Sequence, residues 1–248
     1  MPLCKKMKRS LWILILVLAS VSALVFPSCT RVGSAMNGSG KIIDQEIPVE
    51  DFNSLNVKGP FEVEVSQADS YSVMVSTDEN LINRILVSLD HQTLKLSVEA
   101  PATFFPTSLK VKIAMPVITA INLSEKAKAV ISEIKPETGF TLFMTGGSVL
   151  QGSLKGTDII FNLSDASQVS LTGSATKLEL ESTGGSKLEM GDFALSRAVI
   201  TLREASEATL NVDGRCDVIL SDASKMYYLG NPLFFDTSIT GGSSMIHK

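Results

Sequence analysis

From residue 140 to residue 246 apolar residues fall at alternate positions in short runs: Leu142 and Met144 in TLFMTGGSVL, Phe161 and Leu163 in IFNLSDASQV, Ile200 and Leu202 in ITLREASEAT. A period of two marks strands that turn one face inward, and helical spacing is not supported in this region. Each run is broken at a triplet that reads Gly-Gly-Ser or acidic-Ala-Ser. The serines that close these triplets are Ser148, Ser167, Ser186, Ser206, Ser224 and Ser243, separated by 19, 19, 20, 18 and 19 residues. A weaker copy, INLSEKAKAV, precedes them with Ala127 in the serine column. A fixed period near 20 residues identifies a solenoid, in which no single turn can bury its own apolar face.

Reading the copies column by column gives the geometry. Six before the serine stand Leu142, Phe161, Leu180, Ile200, Val218 and Thr237; four before it stand Met144, Leu163, Ser182, Leu202, Leu220 and Ile239. Two after it come Leu150, Val169, Leu188, Ala208, Met226 and Met245. These columns are the predicted core. The position two before the serine reads Gly146, Asp165, Gly184, Glu204, Asp222 and Gly241, and the next is always Gly or Ala, which predicts a tight corner. Gly173, Gly191, Gly214 and Gly230 mark a second corner about half a repeat later. Equivalent strands then stack about 4.8 Å apart. The serines lie in phase with the apolar column, so their hydroxyls are expected to point inward and bond at the bend rather than act as nucleophiles.

Residues 41–121 are β-rich without obeying the repeat. FNSLNVKGPFEVEVSQ, YSVMVS, ILVSLD, TLKLSVEA and LKVKIAM alternate cleanly, while STDENLINRI predicts a short helix capped by Thr77 or Asp78. This region is expected to begin the solenoid and close its end, because an open end exposes unpaired strand edges. The expected fold is all-β: a single-stranded, right-handed parallel β-helix with coils of about 19 residues and a short helix near the N-terminal end. Its organisation reads as a signal peptide over 1–28, a tether over 29–40 and a β-helix domain over 41–248, with irregular coils or a cap over 41–121 and repeats over 122–248.

The first residues change the picture of location. Lys5, Lys6, Lys8 and Arg9 precede the apolar run from Leu11 to Phe26, whose 16 residues fall short of the roughly 20 that a spanning helix needs. The run ends at FPSC, and Cys29 is followed by the small, polar TRVGSAMNGSG. This resembles the lipobox of bacterial lipoproteins, with Ser28 matching and Phe26 and Pro27 departing, and it implies lipidation at Cys29. The alternative is a soluble secretory signal cut after Ala23 and a soluble periplasmic protein. No acidic cluster follows Cys29, so a lipid-anchored protein of the outer membrane could face the periplasm or the surface.

Loss of residues 1–28 removes four basic residues and no acidic one, which leaves 18 basic against 26 acidic residues and a net charge of −8. That balance, with no basic stripe, argues against a nucleic-acid partner. Cys4 leaves with the signal and Cys29 is the lipid site, so Cys216 is a lone thiol, read as a small buried hydrophobe.

Candidate chemistry concentrates in the acidic corner column. Glu204 and Asp222 stand on adjacent coils, about 5 Å apart at the backbone, close to the roughly 5–5.5 Å of retaining glycosidase carboxylates. Asp165 lies two coils from Glu204, and Arg203 interrupts a column otherwise made of Ser124, Thr145, Ser164, Thr183, Ser221 and Thr240. These four, Asp165, Arg203, Glu204 and Asp222, are the candidate ligand-binding residues, and the last three the candidate catalytic ones. The simpler account is that Asp and Glu favour bends and that Arg203 and Lys225 neutralise the one adjacent pair. Weak calcium binding is a further option for this column. No His/Cys cluster exists and no cofactor or resident metal is expected; His91 and His247 are the only histidines. Trp12 belongs to the signal, leaving Phe104 and Phe105 in PATFFPTS as the candidate exposed apolar contact, with burial against the cap as the alternative.

The lipobox, the segment opening with GSGKIIDQEIPVEDF, the VKGPFEVEVSQ strand, the TDENL segment and the glycine-cornered repeats together resemble the family named putative auto-transporter adhesin, head GIN domain. The resemblance runs from about Gly40 to the C-terminus. It implies a single-stranded β-helix in an envelope protein of the kind abundant in Bacteroidetes, and it supplies no catalytic residues to carry over. The leading expectation is a non-enzymatic envelope lipoprotein whose β-helix face binds a glycan or an envelope protein. The rivals are a polysaccharide lyase or hydrolase using Glu204, Asp222 and Arg203, and a structural or signalling envelope protein without a small ligand.

Overall fold

The alternating runs become strands that fall into two parallel stacks with the apolar columns between them. A computed structural model describes residues 35–99 and 103–248; the expected signal peptide over 1–28 and Cys29 lie outside the described residues. One stack runs through Thr93–Val98, Ser54–Lys58, Ala120–Ser124 and Phe140–Met144. It continues in the second halves of Val149–Leu163, Gln168–Ser182, Lys187–Leu202 and Glu207–Leu220, and ends at Leu233–Ile239. The other stack takes Leu109–Met115, Glu62–Gln67 and Lys128–Ile134, then the first halves of the same long strands, then Lys225–Leu229 and Ser244–His247. The result is an all-β solenoid of about 7 turns.

The core columns lie where the alternation put them. Leu142, Phe161, Leu180, Ile200 and Val218 are buried, as are Leu150, Val169, Leu188, Ala208 and Met226 two places past the serines. The last coil differs: Thr237 and Ile239 occupy inward columns yet are exposed, because no further strand covers Leu233–Ile239 among the described residues.

At the other end the order of coils departs from the order of the chain. The coil built from Ser54–Lys58 and Glu62–Gln67 sits between the later coil of Thr93–Val98 and Leu109–Met115 and the one that starts at Ala120. Antiparallel strands flank that outermost coil: Ser72–Asp78 pairs with Leu109–Met115, Ile42–Glu46 with Ser72–Asp78, and Ile85–Asp90 with Thr93–Val98. The outer edge is thereby paired instead of left open.

The helix expected in STDENLINRI is a single 3₁₀ turn, Ile82–Arg84. Its proposed caps are engaged elsewhere. Thr77 Oγ1 donates to the Ser108 carbonyl at 2.7 Å, and the Asp78 carboxylate accepts from the backbone N–H groups of Gly40 and Thr107, each at 2.7 Å. Tertiary partners therefore claim the side chains that would have started the helix.

The second corner also differs in form. Four strands of 14 to 16 residues run straight through it. Three of them bend at glycines with positive φ, Gly152 (+139°), Gly173 (+129°) and Gly214 (+147°), and Lys187–Leu202 has none. Gly191, assigned to this corner by its spacing, has no positive φ, whereas Gly152 was not among the glycines marked there.

Candidate functional site

Each triplet corner is a turn of two consecutive left-handed residues. Asp165 and Ala166 have φ of +53° and +61°, Glu204 and Ala205 +55° and +57°, Asp222 and Ala223 +57° and +60°. The serine N–H closes the turn on the carbonyl three residues earlier, at 3.3 Å for Ser167 and 3.2 Å for Ser206. This is the type I′ pattern, which favours Gly, Asn and Asp. The serine hydroxyls point inward: Ser148, Ser167 and Ser224 donate to the carbonyls of Thr145, Ser164 and Ser221 at 2.8, 2.6 and 2.7 Å. These three are corner bonds, with no histidine beside them, whereas the buried Ser206 hydroxyl has no partner among the described residues. His91 lies against Asp90, and His247 stacks on Tyr228 at 4.8 Å.

The acidic side chains are taken up by hydrogen bonds at their own or the adjacent corner. Asp165 accepts from the hydroxyls of Thr145 and Ser164, and Glu204 accepts from the Gly184 N–H at 3.2 Å. Asp222 accepts from Ser221 Oγ at 2.8 Å. Arg203 reaches Glu181, at 3.4 Å, rather than Glu204 or Asp222. Lys225 lies nearest Glu207, at 3.9 Å, so neither cation neutralises the Glu204–Asp222 pair as the corner account supposed. Among the described residues no three His, Cys, Asp or Glu side chains gather around a point where a metal ion could sit. Cys216 is buried, and burial, with Asp217 beside it, pushes its thiol up to about 12, which keeps it protonated and unreactive at neutral pH.

A different feature stands out on the lateral face of the first stack. The outward row five places before each serine runs in register across coils as Asn56, Asn122, Phe143, Asn162, Glu181 and Thr201. Phe143 is 48% exposed. Around it lies an open depression of about 420 Å³, floored by the strand segments at Leu123, Met144 and Leu163 and bordered by hydroxyls of Ser124, Thr145, Ser164 and Thr183. The side-chain amides of Asn122 and Asn162 make no hydrogen bond within the described residues. The signal for this site was present in the alternation: Phe143 lies between inward Leu142 and Met144, so it must face outward. The other expected aromatic contact splits, with Phe104 buried and Phe105 55% exposed beside the short pairing of Phe104–Phe105 with Met36–Asn37.

Residues 51–232 match a known family, described as putative auto-transporter adhesin, head GIN domain. The chain belongs to that family. Its fold is shared with a putative adhesin from Bacteroides fragilis NCTC 9343, at 19% identity and a TM-score of 0.76, covering 86% of this chain and 100% of the other. A putative lipid binding protein from Parabacteroides distasonis ATCC 8503 aligns at 18% identity and 0.71, covering 87% and 100%. A putative adhesin from Parabacteroides merdae ATCC 43184 aligns at 15% and 0.65, also covering 87% and 100%. Identities this low carry the fold alone. No curated protein matches the chain.

Proposed function

We propose that the protein is a non-enzymatic, adhesin-like component of the bacterial cell envelope, anchored to the outer membrane by a lipid on Cys29, whose solenoid offers a lateral face to a glycan or an envelope protein. One observation carries this reading. The carboxylates that could have done chemistry are hydrogen-bonded to their own or the neighbouring corner, whereas the open depression, with amides unpaired among the described residues, lies on the lateral sheet face. Family membership agrees, since its relatives are named adhesins or binding proteins. A rigid stack of strands suits such a role, because it holds side chains in fixed rows and binding then costs little ordering. In this reading the coils wind right-handed, as parallel crossover connections do in nearly all sheets.

The test is binding of the full-length chain, in mild detergent, to immobilised glycans and purified envelope proteins, beside metabolic labelling with radioactive palmitate. Saturable binding to either class, and labelling that disappears in Cys29→Ser, are expected. Turnover of a polysaccharide that is abolished in Glu204→Gln/Asp222→Asn would replace this reading with the enzyme. Labelling that survives Cys29→Ser would remove the anchor.

A further inference from the structure

We infer that the depression around Phe143 binds an uncharged saccharide, laid along the solenoid axis across the coils that carry Asn122, Phe143, Asn162 and Glu181. The inference rests on the lateral-face reading and gives that face its ligand class.

The argument starts from register. Asn122, Phe143 and Asn162 are successive partners in one row, so the ring has an amide on each side at one strand spacing, about 4.8 Å. An aromatic face with partial negative charge is complementary to the weakly positive C–H groups that line one side of a pyranose ring. Each amide offers two donors and one acceptor oxygen on one planar group, which matches neighbouring hydroxyls that must both give and take hydrogen bonds. Neither amide has a partner within the described residues. Glu181 continues the row on the next coil; one of its oxygens is held by Arg203 at 3.4 Å, and the other accepts no hydrogen bond among the described residues. Ser124, Thr145, Ser164 and Thr183 give the depression a polar border that follows the same axis; the hydroxyls of Thr145 and Ser164 donate to Asp165 and so can only accept from a ligand.

The same features select against other ligands. An acidic saccharide would meet Glu181 in a chain that carries −8 after signal removal, and two nearby cations, Arg203 and Lys58, are already paired with Glu181 and Glu125. A lipid chain would leave the two amides facing hydrocarbon without partners, which is costly. A saccharide satisfies both the ring and its polar border, and the volume of about 420 Å³ lies in the range of small-ligand sites.

The experiment compares the full-length chain and its variants on an array of neutral gluco-, galacto-, manno- and N-acetylhexosamine oligosaccharides. Acidic oligosaccharides and phosphatidylcholine vesicles form separate arms, and thermal melting confirms that each variant is folded. Binding to at least one neutral class is expected. It should weaken at least about tenfold in Phe143→Ala and about tenfold in Asn122→Ala or Asn162→Ala, while Glu204→Gln/Asp222→Asn binds like the parent. Neutral-saccharide binding that is indifferent to Phe143→Ala would overturn the assignment of the groove and leave the lateral-face reading standing. Binding confined to acidic oligosaccharides or to vesicles, or a blank array alongside a positive envelope-protein panel, would overturn the saccharide. Blank results on glycans and proteins together would overturn both.

Discussion

The two edges of the solenoid turn the chain through the same change of direction under different constraints. At the triplet edge the corner is made by two left-handed residues, and the sequence fills it with Gly-Gly at some coils and Asp-Ala or Glu-Ala at others. Alanine is accepted there although a left-handed alanine costs about 1 kcal/mol or more, because its Cβ has room: a Cβ at Gly147, Gly185 or Gly242 would meet nothing within 4 Å. At the opposite edge the strand continues through the bend, and its glycines lie directly over the coil before. A Cβ at Gly152 or Gly173 would be driven into the backbone carbonyl of Ile131 or Leu154. The triplet edge therefore has room for a side chain at its second place and carries the acidic residues that look like chemistry, whereas Gly152, Gly173 and Gly214 at the other edge leave no room for a Cβ.

The sharpest test of that contrast is Gly173→Ala, which combines an unfavourable φ with a collision against backbone and should cost about 3 kcal/mol or more, read by urea unfolding. If it cost no more than a triplet-edge substitution, the distinction between the edges would fail.

A second comparison lies in the interior, between two buried polar side chains. Asp78 has partners for its carboxylate, and Asp78→Ala strands the Gly40 and Thr107 N–H groups, with an expected loss of about 2–3 kcal/mol. The parent should also be acid-sensitive through this residue. Burial pushes the Asp78 carboxyl up, but the hydrogen bonds from Gly40, Thr107 and Ser108 outweigh it and hold the group below its ordinary 3.8. A carboxylate with a depressed folded value contributes stability that is full above the unfolded value and fades as pH falls through the folded one. Unfolding measured from pH 5 down to pH 2 should thus weaken the parent more steeply than Asp78→Ala; parallel curves would refute the carboxylate's role.

Smaller effects refine both comparisons. Gly185→Ala imitates its own neighbours at Ala166 and Ala205, and it should cost only about 1 kcal/mol in the same unfolding assay. Ser182 replaces a large apolar residue in its column, and its hydroxyl is buried without a partner among the described residues. Ser182→Ala should leave stability unchanged or raise it by about 0.5–1 kcal/mol, visible as a higher melting temperature; a clear loss would mean that the hydroxyl finds a water.

The period, the inward columns, the serine bonds and the triplet corner could all be read from the chain, because each follows from alternation and from residues a few positions apart. Phe143 could have been read the same way, as the outward residue between Leu142 and Met144, but its importance depends on Asn122 and Asn162, which stand beside it only across coils. The acidic column was legible as a column, yet its partners were not. Whether Arg203 met Glu204 or Glu181 turned on side-chain direction within one coil spacing.

What the sequence by itself determined was a repeated strand-and-corner unit with a defined inside, since hydrophobic alternation and turn chemistry are local properties of the chain. Tertiary structure alone decided that the coil of Ser54–Gln67 slips between two later coils, that Thr77 and Asp78 bind distant segments instead of starting a helix, and that a ring and two amides meet on one face. The reason is physical: strand pairing joins residues far apart in the chain, and its register is settled by the packing of the whole stack.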